Sequence, residues 1–298
     1  MQLAGVDLVE IAARVWPGRR AHFDVLGGGI TNHNVKVELG DGEAYVLRIA
    51  GRDTAVLGID RLAEHEASLA AAAVGVGPIV VALLEPEGWL VTRFIEGSSP
   101  TSDEMREPAM IARVAAALRA VHAGPRLPRR FDSFGVVEEY YAAACARDAT
   151  VPATYTWARE LARTIAHRRG AVPERPCHND LLTANFIDDG KRIRIVDWEY
   201  AGMGDIFFDL ANLAVNHEFG PGEHERLLGA YFGTYGAREQ QALELMRFMS
   251  DFREAMWGVV QGAVSSLEFD FEAYARHHFE RLERTAAESA FERALAGA

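Results

Sequence analysis

Cysteine is scarce in this chain, which has 2 cysteines among its 298 residues. Cys145 and Cys177 lie far apart in the sequence and form no C-x-x-C pair. The sequence therefore indicates neither a disulfide framework nor a zinc site, because both need paired or clustered cysteines. We expect a protein of the reducing cytoplasm.

Basic residues and long apolar runs are scarce as well. There are 31 lysines and arginines against 43 acids, a net charge of -12, which argues against nucleic acid or an anionic membrane as the main partner. A small cationic substrate would suit this charge better. The apolar run that ends at Leu84 is interrupted by two glycines and Pro78, so it falls short of a membrane span. Asp7 and Glu10 do not fit a signal peptide, and no targeting segment is expected.

The first third of the chain alternates between strand and helix periodicity. Apolar side chains recur at every second position in several short runs and at helical spacing in two others. The predicted elements are a short helix at 8–16, three antiparallel strands between 23 and 49, an alanine-rich helix from 59 to about 75, and strands at 79–84 and 89–95. These elements predict a small five-stranded lobe.

A run of polar and turn residues, Glu96 to Pro100, separates this region from a mostly helical remainder. We predict an N-terminal lobe at 1–95 and a C-terminal lobe at 96–298. Helices are predicted at 108–121, 155–169, 223–235, 237–265 and 271–295. The expected fold class is α+β, with two lobes, a small antiparallel sheet lobe and a larger helical lobe.

The most informative motif is H-x-D-x-x-x-x-N, at His178, Asp180 and Asn185, followed by an Asp-Gly turn and an apolar strand that ends at Asp197. Phosphoryl transfer needs a carboxylate to accept a hydroxyl proton and oxygen ligands for Mg²⁺. The turn would bring Asp197 back beside Asp180, so these side chains could share one ion. A buried histidine beside a turn, without chemistry, is the structural alternative.

Two features ahead of this motif suit a polyanion such as a nucleotide. The run G-G-G-I-T-N-H-N lets backbone amides approach phosphates, although such a run can also be a simple turn. Arg48 lies within a predicted strand and points away from its apolar neighbours, where a nucleotide or only solvent could lie. Glu64 and Glu66 are both candidates for an ion pair with Arg48, and periodicity does not choose between them.

Several segments together resemble one family. They are L-G-G-G-I-T-N-H-N, V-L-R-I, I-D-R-L-A-E, H-N-D-L-L-T-A-N, I-V-D-W-E-Y-A-G, F-D-L-A-N, and W-G-V-V-Q followed by S-S-L-E-F-D-F-E-A-Y. Over nearly its whole length the chain resembles the choline/ethanolamine kinase branch of the aminoglycoside-phosphotransferase-like family, which has a protein-kinase-like fold. The fourth and fifth segments are the most specific.

The resemblance implies a role for each motif residue. Asp180 would be the catalytic base, Asn185 and Asp197 would bind Mg²⁺, and Glu64 would hold Arg48 against the nucleotide phosphates. The ATP-binding residues implied in this way are Gly28, Gly29, Thr31, Asn32, Arg48, Glu64, Arg93, Phe94 and Ile95. Structural support is expected from His178 and from Asp209, which would brace the catalytic loop.

The acceptor side follows from the same resemblance, since the family holds its amine with acids and aromatic rings. Trp257 and Tyr274 match two of those rings, and Glu199 adds an acid. Two positions depart from the choline kinases: Glu254 replaces a tryptophan and Asn216 replaces a glutamate. A carboxylate at Glu254 could pair with a primary ammonium, so ethanolamine is as plausible an acceptor as choline.

The resulting hypothesis is an enzyme, an ATP- and Mg²⁺-dependent kinase that phosphorylates the hydroxyl of a small amino alcohol. The alternatives are a kinase for a bulkier cation, such as an aminoglycoside or thiamine, and a nucleotide-binding module without catalysis. The oligomeric state, monomer or homodimer, stays open at this stage.

Overall fold

The structure is a computed structural model that describes residues 1–3, 5–27, 32–51, 54–265, 267 and 269–297. Its helices are α1 (Leu8–Val15), α2 (Arg61–Ala73), α3 (Ser102–Met105), α4 (Pro108–His122), α5 (Ser133–Cys145), α6 (Thr154–Arg169), α7 (Ile206–Asn216), α8 (Pro221–Phe232), α9 (Ala237–Val264), α10 (Phe271–Ala286) and α11 (Ser289–Ala296). Its strands are β1 (Gln2–Leu3), β2 (Val6–Asp7), β3 (Ala21–Leu26), β4 (Asn32–Leu39), β5 (Ala44–Ala50), β6 (Val80–Leu84), β7 (Trp89–Arg93), β8 (Arg175–Cys177), β9 (Phe186–Asp188), β10 (Ile193–Ile195) and β11 (Gly202–Gly204).

A five-stranded antiparallel sheet in the order β3-β4-β5-β7-β6 forms the small lobe. Val35 pairs with Leu47, and both are buried against the apolar side of α1. Alternate residues point to opposite faces of a strand, so Arg48 emerges on the other face of the sheet. The alternating pattern of the sequence thus puts one charged side chain on the face away from this core.

Helix α2 connects this sheet with the helical region. The Asp60 side chain caps it by accepting from the amides of Leu62 and Ala63. Ala67 and Ala71 are buried in the large hydrophobic core that the later helices form. Small alanine side chains let α2 approach this core closely, and Glu64 on the same helix is buried as well.

Helix α9 is the centre of the helical region, where it packs against α5, α7, α10 and α11. Its residues from Leu245 to Gln261 are nearly all buried, and they include Arg253 and Glu254. A helix surrounded on all sides by others is expected to be apolar all round, so charges in its interior need partners. Measured against the thickness of a bilayer, none of the helices in the described ranges offers an apolar stretch long enough to cross it.

Two short antiparallel strand pairs lie in the motif region. Strands β9 and β10 pair through Ile187 and Arg194, and β8 pairs with β11. The segment that leaves the small sheet packs on β9, where the Ser98 amide donates to the Asp188 carbonyl. Gly97 precedes it with φ at +155°, and a Cβ at this position would collide with the Asp188 carbonyl oxygen. Glycine is therefore required where the two regions of the chain meet.

The expected fold class is confirmed: a small antiparallel sheet lobe is followed by a mostly helical lobe. Several details differ from expectation, chiefly among the helices. The single helix predicted at 271–295 is broken after Ala286, and α11 restarts at Ser289. Helices α5 and α7 were not predicted, because α5 is mainly apolar and aromatic and α7 is apolar nearly all round, so neither shows a clear stripe. The lobe boundary after residue 95 stays a prediction.

The two cysteines provide a test of this packing. Cys145 is exposed, whereas Cys177 is fully buried and its burial raises the pKa of its thiol. Since the thiolate is the reactive species, we expect an aromatic disulfide reagent to label one thiol in the native protein and both in denaturant. The Cys145→Ser variant should show no rapid native labelling. Two rapidly reacting thiols in the native wild type would contradict this packing.

Candidate active site

The loop that carries Asp180 is held by the Asp209 carboxylate in the first turn of α7. Asp209 Oδ2 accepts from the His178 amide at 2.8 Å, and Oδ1 accepts from the Asn179 amide at 2.7 Å. His122 Nε2 lies 2.9 Å from Oδ2. Burial opposes ionisation of Asp209, but the hydrogen bond and charge of His122 lower its pKa below the ordinary value. A fully buried anion thus fixes the loop backbone.

The His178 side chain joins the loop to the chain after β10. Its Nδ1 accepts from the Asp180 amide at 3.2 Å, and its Nε2 lies 3.0 Å from the Val196 carbonyl oxygen. Burial lowers the pKa of His178, which favours a neutral ring that donates from Nε2. The ring also packs edge-on against Trp198, with centroids 4.6 Å apart. These contacts place the His178 ring between the Asp180 loop and the chain after β10.

Helix α7 makes a second contact with the loop through Asn212. Its Oδ1 accepts from the Leu181 amide at 2.6 Å, and its Nδ2 donates to Ser250 Oγ on α9 at 3.0 Å. Asn216, at the position where the resembled kinases carry a glutamate, donates to the same Asn212 oxygen at 3.2 Å. The loop, α7 and α9 are thereby linked by one chain of hydrogen bonds.

Asp180 and Asn185 are in direct contact. Asn185 Nδ2 donates to the Asp180 carbonyl at 2.8 Å and to its carboxylate Oδ2 at 3.2 Å. Asp197 follows β10 in the left-handed region, at φ +69°, an uncommon conformation for a residue other than glycine. This turn directs the Asp197 carboxylate into the cavity that Asn185 also lines.

Arg48 lies among three carboxylates. Its Nη2 is 2.6 Å from Asp197 Oδ1 and 2.8 Å from Glu199 Oε2, and its Nε is 3.2 Å from Glu64 Oε1. The last pair is close enough to attract but is not aligned as a hydrogen bond. Burial alone would lower the pKa of Arg48, yet Asp197, Glu64 and Glu199 raise it above the ordinary value. Glu64 faces Arg48, whereas Glu66 on the same helix is exposed.

Glu199, predicted as a substrate ligand, faces this arginine group rather than the aromatic rings. It is 4% exposed, accepts from Asn32 Nδ2 at 2.9 Å and lies 3.2 Å from Arg61 Nη1. Arg61 also bonds Glu64 at 2.6 Å and Asn32 Oδ1 at 3.1 Å. Arg61, the arginine of the I-D-R-L-A-E segment, had no predicted role. The signal in the sequence was its i, i+3 spacing to Glu64.

A cavity of about 200 Å³ separates the sheet from the segments that carry Asn185 and Asp197. Its lining includes the predicted hinge residues Arg93, Phe94 and Ile95, together with Arg48, Asn185 and Asp197. Gly28, Gly29 and Thr31, also predicted to bind the nucleotide, lie outside the described residues. The other residues predicted to bind the nucleotide lie around this cavity or next to it. They are Asn32, Arg48, Glu64 and the hinge residues.

A second group of side chains, which we call the aromatic–acidic cluster, consists of Tyr200, Glu254, Trp257 and Tyr274. Tyr274 donates its hydroxyl to Glu254 Oε2 at 2.8 Å, and Trp257 Nε1 donates to the Tyr200 hydroxyl at 2.9 Å. The Trp257 and Tyr274 rings meet edge-to-face at 5.5 Å. The three predicted side chains from α9 and α10 are therefore together, with Tyr200 as an unpredicted member.

Arg253 is the main residue that sequence reasoning missed. Its Nη1 lies 2.6 Å from Glu254 Oε1 and 3.4 Å from Asp180 Oδ1, and its guanidinium carbon lies 4.3 Å from the Tyr200 ring centre. The side chain is 1% exposed. An arginine between Phe252 and Glu254 in a long helix gives no signal by itself, because helix burial is decided by neighbours far away in sequence.

The two acids beside Arg253 respond differently to burial. Burial raises the pKa of Asp180, Glu254, Asp197 and Glu199 raise it further, and the charge of Arg253 opposes this rise. For Glu254 burial also favours the neutral acid, but the adjacent Arg253 charge prevails and lowers its pKa. Two carboxylates joined by one guanidinium thus differ in basicity, and Asp180 is the stronger proton acceptor.

The donor set next to Asp180 fits a hard divalent cation. The Asn185 amide nitrogen is committed to Asp180, so its carbonyl oxygen is the atom that can bind a cation, and Asp197 supplies a carboxylate on the same cavity wall. Amide and carboxylate oxygens are ligands that Mg²⁺ accepts. A polyanion in the cavity would complete the ligand set, which matches an apparatus for phosphoryl transfer.

Comparison with known proteins agrees with this geometry. Residues 22–248 match the model of the phosphotransferase enzyme family. The chain belongs to this family. A solved choline/ethanolamine kinase family protein from Mesorhizobium loti is 31% identical, covers 97% of both chains and superposes with a TM-score of 0.83. The resemblance to the choline/ethanolamine kinase branch is thus confirmed.

Matches to curated relatives are partial in length. Probable choline kinase 1 of Arabidopsis thaliana is 30% identical over 131 residues, which is 35% of this chain and 38% of that protein. Ethanolamine kinase 1 of Mus musculus is 23% identical over 315 residues, 87% of this chain and 82% of that protein. The first of these matches spans well under half the length of its relative, and the identities are modest.

The Asp209 contacts lead to a stability prediction. Replacing Asp209 with alanine leaves two buried loop amides and His122 without their acceptor, so we expect a loss of about 3 kcal/mol or more. Urea unfolding measures this loss. Glu225→Ala, which removes an exposed acid from α8, should change stability by less than about 0.5 kcal/mol. Equal effects of the two substitutions would refute a bracing role for Asp209.

Proposed function

We propose that this phosphotransferase is an ATP- and Mg²⁺-dependent kinase that phosphorylates the hydroxyl of a small amino alcohol. The supporting observation is the position of Asp180. One oxygen of its carboxylate accepts from Asn185, which lines the cavity, and the other lies 3.4 Å from Arg253, which adjoins the aromatic–acidic cluster. A group that lies between a phosphate donor and an alcohol acceptor is suited to accept the hydroxyl proton.

Asp180 is the proposed base. The contact with Asn185 orients its carboxylate, and the Asp209-braced backbone fixes the loop that carries it. A carboxylate whose pKa is raised by burial accepts a proton more readily than an ordinary aspartate, provided it starts ionised. The acceptor hydroxyl would lie against Asp180 and lose its proton as the oxygen attacks the terminal phosphoryl group.

Asn185 and Asp197 are the proposed Mg²⁺ ligands, on the basis of their oxygens on one cavity wall. When bound, the ion supplies neutralisation of charge on the phosphates. Arg48 would donate to the same phosphates, because its guanidinium is already held at the cavity by Glu64 on α2. Arg93, Phe94 and Ile95 line the part of the cavity proposed for the adenine ring, where backbone groups of a hinge can bind a base edge.

The aromatic–acidic cluster is the proposed acceptor site, and its burial favours a small acceptor. Trp257 is 6% exposed and Glu254 is 2% exposed. A bulky cation such as an aminoglycoside would require these packed side chains to separate, whereas an alcohol of a few heavy atoms needs much less room. Kinases for choline or ethanolamine among the relatives agree with this size.

ADP release measured with choline, ethanolamine, thiamine and an aminoglycoside panel tests this proposal. We expect Mg²⁺-dependent turnover with at least one small amino alcohol and little with the bulky cations. In the Asp180→Asn variant turnover should fall by about 10²- to 10⁴-fold, because the amide cannot accept the proton. Nucleotide binding by this variant should persist, which separates chemistry from folding. Near wild-type turnover in Asp180→Asn would exclude it as the base.

Glu64 and Glu66 form a matched pair on α2 for testing the nucleotide site. Glu64→Gln weakens the support of Arg48, so we expect the KM for ATP to rise roughly tenfold. Glu66→Gln should leave it unchanged, since this side chain is exposed. Steady-state kinetics at saturating acceptor provide the measurement. A larger effect at Glu66 would show that the wrong glutamate has been assigned.

A further inference from the structure

Arg253 occupies the contacts that a substrate cation would be expected to use. An ammonium group in a protein is held by carboxylates and by the faces of aromatic rings. Here the guanidinium of Arg253 lies over the Tyr200 ring at 4.3 Å, pairs with Glu254 at 2.6 Å and reaches Asp180 at 3.4 Å. The guanidinium of Arg253 is thus a cation that already contacts the aromatic–acidic cluster.

Glu254, the acid of the cluster, is therefore already engaged by hydrogen bonds. Glu254 carries one oxygen bonded to Arg253 and the other bonded to the Tyr274 hydroxyl. A second cation at this position would have to displace the guanidinium or lie beside it at short range and low dielectric, where like charges repel strongly. Either way, a compact cation beside Glu254 would bind less well than the acid and rings of the cluster alone would suggest.

Arg253 also has donors without acceptors. Its Nε and Nη2 are buried, and neither has a hydrogen-bond partner among the described residues. Buried donors without partners cost free energy, so a ligand oxygen that reaches them gains that energy on binding. A guanidinium is well matched to carboxylate oxygens, which accept two parallel hydrogen bonds.

We propose that Arg253 determines acceptor specificity, disfavouring a compact quaternary ammonium and favouring an alcohol that also brings an oxygen acceptor, such as a carboxylate, to its Nε and Nη2 atoms. This inference rests on the proposed kinase function for placing the acceptor next to Asp180. The identity of the acceptor then depends on Arg253 as well as on the acid and the rings of the cluster.

Calorimetric binding to the full chain tests the proposal with three small probes. Ethanolamine and L-serine differ by one carboxylate, and tetramethylammonium is a compact quaternary cation. The wild type should bind L-serine more tightly than ethanolamine. Arg253→Met should bind tetramethylammonium about tenfold more tightly than the wild type, because Glu254 and the Tyr200 face are released. The same variant should lose the preference for L-serine.

Two variants serve as controls. Arg253→Lys keeps a cation in place, so its affinity for tetramethylammonium should stay as low as in the wild type, whereas a merely disrupted helix would affect both substitutions alike. Arg247→Met removes another ion-paired arginine from α9. It should change neither the affinity for tetramethylammonium nor the preference for L-serine over ethanolamine. If Arg253→Met does not fold, the comparison of L-serine with ethanolamine on the wild type still decides.

Either of two results overturns the proposal: tetramethylammonium binds Arg253→Met no more tightly than the wild type, or the wild type binds ethanolamine at least as tightly as L-serine. These readouts are independent of turnover. If the wild type phosphorylates no amino alcohol, the proposed function fails, and the binding of the three probes still establishes or refutes the role of Arg253.

Discussion

The buried Asp209 carboxylate is the interaction on which the active-site geometry depends. It accepts the amides of His178 and Asn179, and thereby fixes the backbone immediately before Asp180. An anion with no solvent contact can remain charged only because several donors surround it. The position of the proposed base is therefore set by the contacts of α7 with the loop backbone, while Asn185 and Arg253 set the orientation of its carboxylate.

Around this loop, the charges are arranged as paired arginines and acids. Arg48 and Arg61 pair with Glu64, Asp197 and Glu199 beside the cavity, and Arg253 pairs with Glu254. Buried ion pairs add little stability relative to apolar packing, since desolvation offsets their attraction. The presence of these ion pairs agrees with a role in orienting ligands, because each arginine holds a planar guanidinium group at a fixed place.

Much of this arrangement was predictable from the sequence because it depends on local patterns. Strand alternation predicted the small sheet. The H-x-D-x-x-x-x-N motif singled out Asp180 and Asn185, which are in contact, and the strand after it singled out Asp197, which lines the same cavity as Asn185. The residues that were not predicted act across long sequence separations. Arg61 reaches Glu199, Asn212 reaches the amide of Leu181, and Arg253 reaches Asp180. No periodicity within one helix specifies a partner on a distant loop.

The sequence by itself determined the fold class and the residues of the phosphoryl-transfer motif, because hydrophobic period and motif spacing are properties of short segments. Only the tertiary structure decided how the acids are used. Glu199, expected beside the substrate, instead contacts Arg48, Arg61 and Asn32, and Glu254 is paired with the residue that precedes it. Those choices depend on which helices and strands surround each charge, since a buried carboxylate takes the nearest cation that packing places beside it.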